Sequence, residues 1–308
     1  MHQQSMFETT PEEPRAQPAK SPKPPVIRSP IWWFGGKGNM VAKLLRFVPE
    51  HHIYCEVFGG GASLLFRKTP APVEVYNDLD EGLVNLFRVI RDREQFEEFH
   101  RLVSLTPYSR AEYYHCRETW RDETDPVKRA HKWFVVARQG FGGKVWQGWG
   151  FTVTATHRGM SSAVSKYVTT NDNLPRIHDR LMRVQIECQD FRKVIPTYDT
   201  GQTFFYLDPP YVASTRKSGG YTHEMTDEDH ADLVDLIREA KGMVLLSGYA
   251  SELYESLGWK RVDFETACHA AGKTRNSKLQ GKGSALKHAK RVESLWLNPA
   301  LEKALDNN

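Results

Sequence analysis

The stretch Phe204-Phe205-Tyr206-Leu207-Asp208-Pro209-Pro210-Tyr211 constrains the fold of this chain more than any other. A short, continuous, aromatic-rich apolar run reads as a strand of a parallel sheet, buried on both faces. The two prolines stop it, because each removes a backbone donor and fixes φ. Asp208 therefore falls at the carboxyl end of a central strand, the edge where open α/β sheets bind ligands. The prolines leave neighbouring carbonyls without ladder partners. With Asp208 these carbonyls supply two acceptors beside the flat ring of Tyr211. That group suits a planar ring bearing an exocyclic NH2, with the ring stacked on the tyrosine and both N–H bonds accepted. The lone pair of such an amine is delocalised into its ring. Acceptors on both N–H bonds push the nitrogen toward a tetrahedral form that can attack an electrophile. A plain turn, with Asp208 capping the following helix, would use the same residues.

Strand–helix alternation surrounds this stretch on both sides. Ile53 to Phe58 reads as a strand that runs into Gly59-Gly60-Gly61-Ala62-Ser63 and a helix over Leu64 to Lys68. Strand, glycine turn and helix together form a nucleotide cradle, and an ordinary tight turn would look alike. Leu64 stands where a dinucleotide fingerprint has its third glycine. A second strand, Val73 to Tyr76, leads to Asn77-Asp78-Leu79-Asp80. Asp78 is placed to hold a ribose diol, and Asp80 to cap a helix over Glu81 to His100. Upstream, Gly35-Gly36-Lys37-Gly38 turns the chain into a short helix, Met40 to Phe47. It lacks the spacing of a phosphate-binding P-loop, and Lys37 alone reads equally as a solvated turn lysine. Downstream come a strand over Val184 to Cys188, a helix capped by Thr226 and stopped by Gly242, a strand Met243 to Leu246, another over Arg261 to Thr266, and a last edge strand, Ser294 to Leu297.

Residues 104–182 differ in character, being rich in Arg, Tyr, Trp and Gly. Ser109 and Asp125-Pro126 open helices there, and Asn173-Leu174 opens another ending near Met182. Between them, Arg138-Gln139-Gly140-Phe141-Gly142-Gly143-Lys144-Val145-Trp146 mixes cations, glycines and rings, as suits stacked bases and phosphates. Tryptophans packed under a loop would give the same composition. Ser214 to Tyr221, with Arg216 and Lys217, reads as a lid beside the central strand. From Ala267 to Val292 there is no acidic residue, while Lys273, Arg275, Lys278 and Lys282 recur. That is a cationic loop suited to phosphate, or solvated basic surface.

The chain has 308 residues, enough for one large or two modest domains with real cores. A net charge of +4 is too small to indicate a nucleic-acid partner by itself. Cys55, Cys116, Cys188 and Cys268 form no CxxC pair, which argues against a zinc site and a disulfide framework and fits a reducing compartment. No run reaches membrane-spanning length, so no membrane association is expected. Residues 1–29 read as a disordered tail.

In combination and order, these pieces resemble the Dam-like, alpha-group DNA adenine-N6 methyltransferases. Trp33-Phe34-Gly35-Gly36-Lys37 is similar to the N-terminal motif of that family, Phe58-Gly59-Gly60-Gly61-Ala62 to its glycine loop, Asn77-Asp78 to its acidic motif and Asp208-Pro209-Pro210-Tyr211 to its catalytic motif. Leu105 to Arg110, Leu246 to Tyr249 and Leu295 to Pro299 resemble the phage-type branch. Val57 departs from the pattern, which usually has proline there. The resemblance implies a Rossmann-like methyltransferase fold, α/β, with a mixed, mostly parallel sheet. It divides the chain into a catalytic domain over 30–103 and 183–308 and an inserted helical target-recognition domain over 104–182. It implies S-adenosyl-L-methionine as cofactor, held by Trp33, Lys37, Phe58, Gly59, Gly61, Asp78 and Asp208, with Asp208, Pro209, Pro210 and Tyr211 catalytic and no metal. The implied partner is double-stranded DNA, contacted through Arg138, Gln139, Lys144, Trp146, Arg216, Lys217, Lys273 and Arg275, inside a prokaryotic or phage-infected cell. A cognate restriction enzyme is compatible with such a protein. A catalytically silent DNA-binding module of this fold, or an RNA or protein amine methyltransferase, would share much of the pattern.

The basic loop yields one test. Neutralising Lys273 and Arg275 together weakens binding to all DNA sequences alike and lowers the slope of log affinity against log salt by about two. Fluorescence anisotropy across a salt series measures this.

Overall fold

The computed structural model describes residues 26–33, 35–141, 148–211, 223–267 and 290–307, with the side chains of 266, 267, 290 and 291 excluded. Phe34, Lys144, Trp146, Arg216, Lys217, Lys273 and Arg275, and most of the expected tail and lid, lie outside these residues.

The chain enters through α1 (Val41–Leu44), continued by a 3-10 turn over Leu45–Phe47, and reaches β1 (Ile53–Glu56). β2 (Val73–Asn77) pairs parallel with β1. Asp80 then caps α2 (Glu81–Arg91), its side chain accepting from the Leu83 amide. The helix expected over Glu81 to His100 is two helices. Asp92 ends α2 and caps α3 (Arg93–Leu105), because its carboxylate takes the Gln95 amide. Ser109 caps α4 (Arg110–Thr119), and Asp125 with Pro126 opens α5 (Pro126–Gln139), whose Trp133, Phe134, Val136 and Ala137 are buried. A two-residue hairpin follows, β3 (Thr156–His157) and β4 (Met160–Ser161). Arg158 and Gly159 at its tip both have positive φ, as a type I′ turn requires.

α6 (Ser162–Leu181) starts a full eleven residues before the expected opening at Asn173. Its polar, β-branched first half carries little local helix propensity, and Pro175 lies within the helix. A buried stripe of Ser165, Tyr167, Asn171, Leu174, Ile177, His178 and Leu181 carries the helix through the proline instead. β5 (Val184–Glu187), α7 (Phe191–Tyr198), β6 (Thr203–Leu207), α8 (Asp227–Arg238), β7 (Met243–Gly248), α9 (Glu252–Glu255), β8 (Lys260–Ala267), β9 (Lys290–Leu297) and α10 (Pro299–Asp306) complete the chain.

Seven strands form one sheet in the order β5-β2-β1-β6-β7-β9-β8. The first five are parallel to one another, and β9 runs antiparallel to both β7 and β8. This is the mixed, mostly parallel α/β sheet that was expected. β6 is buried along its whole length. The chain leaves β1 toward β2 and β5, and leaves β6 toward β7 and β9. The switch point of the topology therefore lies between β1 and β6, whose carboxyl ends carry Phe58-Gly59 and Asp208. Ser294 to Leu297 is not an edge strand. Leu295, Trp296 and Leu297 are buried on both faces between β7 and β8, and β8 is the edge.

Side chains alternate across the sheet into two cores. Tyr54, Tyr76, Phe204, Tyr206 and Leu245 face one side, covered by α2, α5, α6 and α10. Cys55, Val75, Phe205, Leu207, Val244 and Trp296 face the other, under α7, α8 and α9. Trp133 of α5 and Leu174 and Ile177 of α6 belong to the first core, so the inserted segment shares its interior with the sheet. Among the described residues, no helix is long and apolar enough to cross a membrane.

One polar clamp joins α6 to the sheet. Glu74 on β2 is buried and accepts from Lys68 Nζ at 2.6 Å and from both terminal nitrogens of Arg180, Nη2 at 2.8 Å. Burial alone would raise its carboxyl pKa, but Arg180 and Lys68 more than reverse this and hold it below the usual range. Glu74→Ala strands two buried cations and should cost about 3 to 5 kcal/mol of stability. In the parent, the depressed pKa means this contribution is complete above the unfolded carboxyl value of about 4.3 and disappears as pH falls through the lower folded value. Urea denaturation from pH 7 to 3, run on parent and variant, reads both effects.

Candidate active site

The glycine loop is closed by steric demand. A Cβ at Gly59 would lie 2.1 Å from Cε2 of Tyr76. One at Gly60, where φ is +47°, would lie 2.5 Å from Cδ1 of Trp33. Only glycine lets the loop lie this close to the two rings. The loop is also tied to the end of β2. Gly59 N–H donates to the Asn77 carbonyl (2.8 Å), Gly60 N–H to Asp78 Oδ2 (2.7 Å), and Tyr76 O–H to the Gly60 carbonyl (2.8 Å). Asn77, buried, donates to the carbonyls of Val57 and Gln189 and accepts the Gln189 amide, joining three strand ends. The helix expected over Leu64 to Lys68 is absent. The segment makes successive turns, with Phe66 N–H donating to the Ala62 carbonyl and Lys68 N–H to that of Leu64, before Pro70 stops it. The cradle is thus built from glycine turns without a helix N-terminus behind them. Val57 retains an amide that donates to the Tyr206 carbonyl at 3.4 Å, a bond a proline there would forfeit.

Asp78 stands half-buried beside the loop, its oxygens accepting from the amides of Gly60 and Asp80. Burial pushes its carboxyl up to about 6, against the pull of those two amides. Asp80 caps α2, as expected, its Oδ1 accepting from the Leu83 amide.

Asp208 projects from the tip of β6 into a denser network. Its Oδ1 accepts from Lys37 Nζ at 2.7 Å and from Ser247 Oγ at 2.7 Å. Lys37, 6% exposed, also donates to the Tyr211 hydroxyl at 2.8 Å. Burial works against the Lys37 ammonium, but Asp208, with Tyr211 and Glu293, outweighs it and holds the pKa well above its ordinary value. Tyr211 O–H is shared between both oxygens of Glu293 at 2.9 and 3.0 Å, and its ring stacks on Tyr249 with centroids 4.2 Å apart. Lys37 is therefore no solvated turn lysine, because a loop 171 positions upstream supplies the cation of the Asp208 corner.

A cleft of about 1080 Å³ joins the two carboxylates. Trp33, Lys37, Phe58, Gly59, Gly61, Asp78, Asp208 and Pro210 all line it, so seven separated cofactor-side expectations converge on one space. Phe58 is backed by Phe191, with centroids 5.7 Å apart. Glu56, also in the lining, is buried, and desolvation pushes its carboxyl up to about 8, which leaves it mostly protonated at neutral pH.

Sequence reasoning missed Glu56, Ser247, Tyr249 and Glu293 as members of the site. Ser247-Gly248-Tyr249 was visible only as a motif at the end of a strand. Glu293 had one faint signal, as the first acid after the basic run. One expected DNA contact needs correction. Gln139 is 0% exposed, its oxygen accepting from the Ser109 amide and its nitrogen donating to the Pro107 carbonyl, so it is an internal tie. Its neighbour Arg138 is half-buried and donates to the Lys166 carbonyl and to Thr170 Oγ1 of α6. Gln139 points back into the fold because α5 continues through it, which turns its side chain toward the Pro107 turn.

The description of D12 class N6 adenine-specific DNA methyltransferases matches residues 33–266 of this chain. A type II methyltransferase of Lactococcus lactis subsp. cremoris, M1.LlaDCHI, is 28% identical over 274 residues, covering 82% of this chain and 90% of its own. A DNA N-6-adenine-methyltransferase of Escherichia phage P1 is 27% identical over 253 residues, 76% of this chain but 32% of its own. The DNA adenine methylase of Escherichia coli K12 is 22% identical over 222 residues, covering 70% and 77%. With the cleft at the β1/β6 switch point and Asp208 at its centre, this match establishes that the chain belongs to the D12 class of N6 adenine-specific DNA methyltransferases.

Proposed function

We propose that the cleft binds S-adenosyl-L-methionine and that the Asp208 corner receives an adenine turned out of double-stranded DNA. The observation that carries this reading is the state of Asp208. Lys37 and Ser247 both occupy Oδ1, while Oδ2 has no hydrogen bond among the described residues. A carboxylate fixed through one oxygen offers the other to an incoming N–H donor.

The donor set fits the cofactor. Asp78 and Asp208 are acceptors suited to ribose hydroxyls and an α-ammonium, and Trp33, Phe58 and the glycine loop supply rings and close backbone for an adenosine. When bound, the cofactor supplies an electrophilic methyl group on a sulfonium. This chain's residues do the rest. Asp208 Oδ2 and the Pro209 carbonyl accept the two N6–H bonds, Pro210 stops the strand so that the carbonyl stays unpaired, and Tyr211 stacks on the base. Drawing density toward nitrogen raises the availability of its lone pair in the transition state, where it matters. The proton on nitrogen leaves after transfer, so no early general base is needed. Turning the base out costs a few kcal/mol, roughly, which phosphate contacts can offset.

Residues 104–182 are assigned to target recognition. Support comes from a ring-and-cation pad, in which Trp149 and Phe151 stack at 5.7 Å and the Arg110 guanidinium lies 4.9 Å from the Trp149 ring. Phe141 and Phe151 are each more than half exposed. Such a pad suits unstacked bases. The protein would act in the cytoplasm of a bacterium or phage-infected cell, and a cognate restriction enzyme would accompany it if it serves in restriction–modification.

Labelled-methyl transfer to duplex DNA, followed by nucleoside analysis, tests the core of this reading. N6-methyladenine is expected. Asp208→Ala should lower transfer by about a thousandfold or more while DNA affinity stays within about threefold. Equal loss of transfer and DNA binding, or preferred transfer to RNA or protein, would refute the assignment. A parent chain that binds DNA and methylates nothing would mark a silent module.

The raised pKa of Asp78 gives a second test. Its carboxyl, at about 6, is ionised at pH 7.5 and mostly protonated at pH 5. Cofactor affinity should therefore fall as pH drops through 6, by about tenfold, and Asp78→Asn should lower it at pH 7.5 and remove that dependence. Isothermal titration calorimetry with the cofactor alone measures both.

A further inference from the structure

Glu293 is a carboxylate of the Asp208 corner to which neither the reaction nor the cofactor assigns a role. It comes from β9, three places into a strand that pairs antiparallel with β7. The Gly248↔Ser294 pair brings Glu293 level with Tyr249, just beyond the carboxyl end of β7. It is 7% exposed, and such a carboxylate is retained only where hydrogen bonds or an opposite charge compensate it. Both compensations are present: the Tyr211 hydroxyl donates to its two oxygens, and Lys37 Nζ lies 3.8 Å away.

We infer that Glu293 is a positioning residue for Tyr211, fixing the plane of that ring for the incoming base. The inference rests on the proposed role of Tyr211 as the stacking platform. A tyrosine on the segment after two prolines has little regular structure to orient it, because β6 ends at Leu207. Its χ angles must be set by contacts. The ring meets Tyr249 on one face, and the hydroxyl accepts from Lys37 and donates to Glu293. Lys37 cannot set the ring alone, since the same ammonium also serves Asp208 and a four-carbon stem is flexible. Glu293 leaves from a strand held on both sides and is the rigid end of the chain Lys37, Tyr211, Glu293.

The charges point the same way. Lys37 contributes one positive charge between two carboxylates, Asp208 and Glu293, so the corner carries a net negative charge, which favours a cationic group beside it. Glu293 therefore both holds the phenol and keeps Lys37 from fully neutralising Asp208.

A double-mutant cycle decides the matter. Glu293→Ala should lower kcat for DNA methylation by about tenfold, with KM for DNA changed by less than about twofold, because an ordering effect on the stacked base appears in the chemical step. Glu293→Gln, whose amide oxygen still accepts from the phenol, should recover most of that loss. In a Tyr211→Phe background, which has no hydroxyl to hold, Glu293→Ala should add less than about a twofold loss. Fully additive losses, or a Glu293→Ala chain with parental kcat, would overturn the inference. A second readout works without any turnover. Tetranitromethane nitration of Tyr211, followed by peptide mass spectrometry on the ligand-free chain, should speed up several-fold in Glu293→Ala and little in Glu293→Gln. Unchanged nitration in both would remove the Glu293–Tyr211 contact, whereas a parent that methylates nothing would remove the reading of the corner and leave the contact standing.

Discussion

The ion pair between Lys37 and Asp208 is the constraint on which the rest of the site depends. It joins a glycine-flanked loop near the amino end to the tip of the central strand, with Nζ and Oδ1 2.7 Å apart and the lysine almost wholly buried. Desolvating an ammonium is expensive, and here two carboxylates and a phenol surround it. That concentration of acceptors explains why the pair persists in a fold that could have filled the corner with apolar side chains. Its consequence is geometric as much as energetic. With Oδ1 taken by Lys37 and Ser247, the orientation of the carboxylate is no longer variable, and an acceptor with a fixed lone-pair direction discriminates among donors.

The fold places this pair where it is useful. A parallel sheet whose connections diverge at β1 and β6 leaves an open crevice between those two strand ends. Among the described residues, neither end is filled by a helix. On the β1 side the chain makes glycine turns packed on Tyr76 and Trp33, and on the β6 side two prolines hold it off the ladder. Asn77 closes the floor by bridging to Val57 and Gln189, so the crevice is walled by backbone that is already satisfied. Among the polar groups that line the crevice, Asp78 stands at one end and Asp208 at the other.

How much of this was legible in the chain follows the range of each interaction. Local signals were reliable. Asp80, Ser109, Asp125 and Thr226 cap helices where they were expected, because a cap is decided within four residues. The strand ending at Asp208 and the glycine loop were legible for the same reason. What failed was decided by distant partners. The interior position of β9 depends on β8 pairing outside it, and the same residues on an edge would have an identical local pattern. The long α6 is stabilised by its stripe in the shared core, which overrides a proline and a β-branched first half. Gln139 lies in a stretch with the composition of a DNA-contacting segment, yet α5 extends far enough to turn it inward. Ser247 and Glu293 could not be recognised without knowing that β7 and β9 deliver them to the corner reached by Lys37.

Trp33 shows how closely residues 104–182 and the Asp208 cleft are linked. Its ring occupies the space that a Cβ at Gly60 would need, and it also stacks on Trp133 of α5 with centroids 6.3 Å apart. Trp133 in turn lies against Gly82 at the start of α2, so near that a Cβ there would be 2.3 Å from its Nε1. One stack of two indoles therefore spans from the glycine loop to a helix of residues 104–182, with glycine on both outer sides. Packed interiors transmit displacement because they have no slack. A shift of α5 along its axis must move Trp133, and Trp33 cannot stay in place against Gly60 unless the loop moves too. Arg180 reinforces the connection by gripping Glu74 on the strand that leads into Asp78. Because the two regions share a core, neither can be displaced without repacking the other.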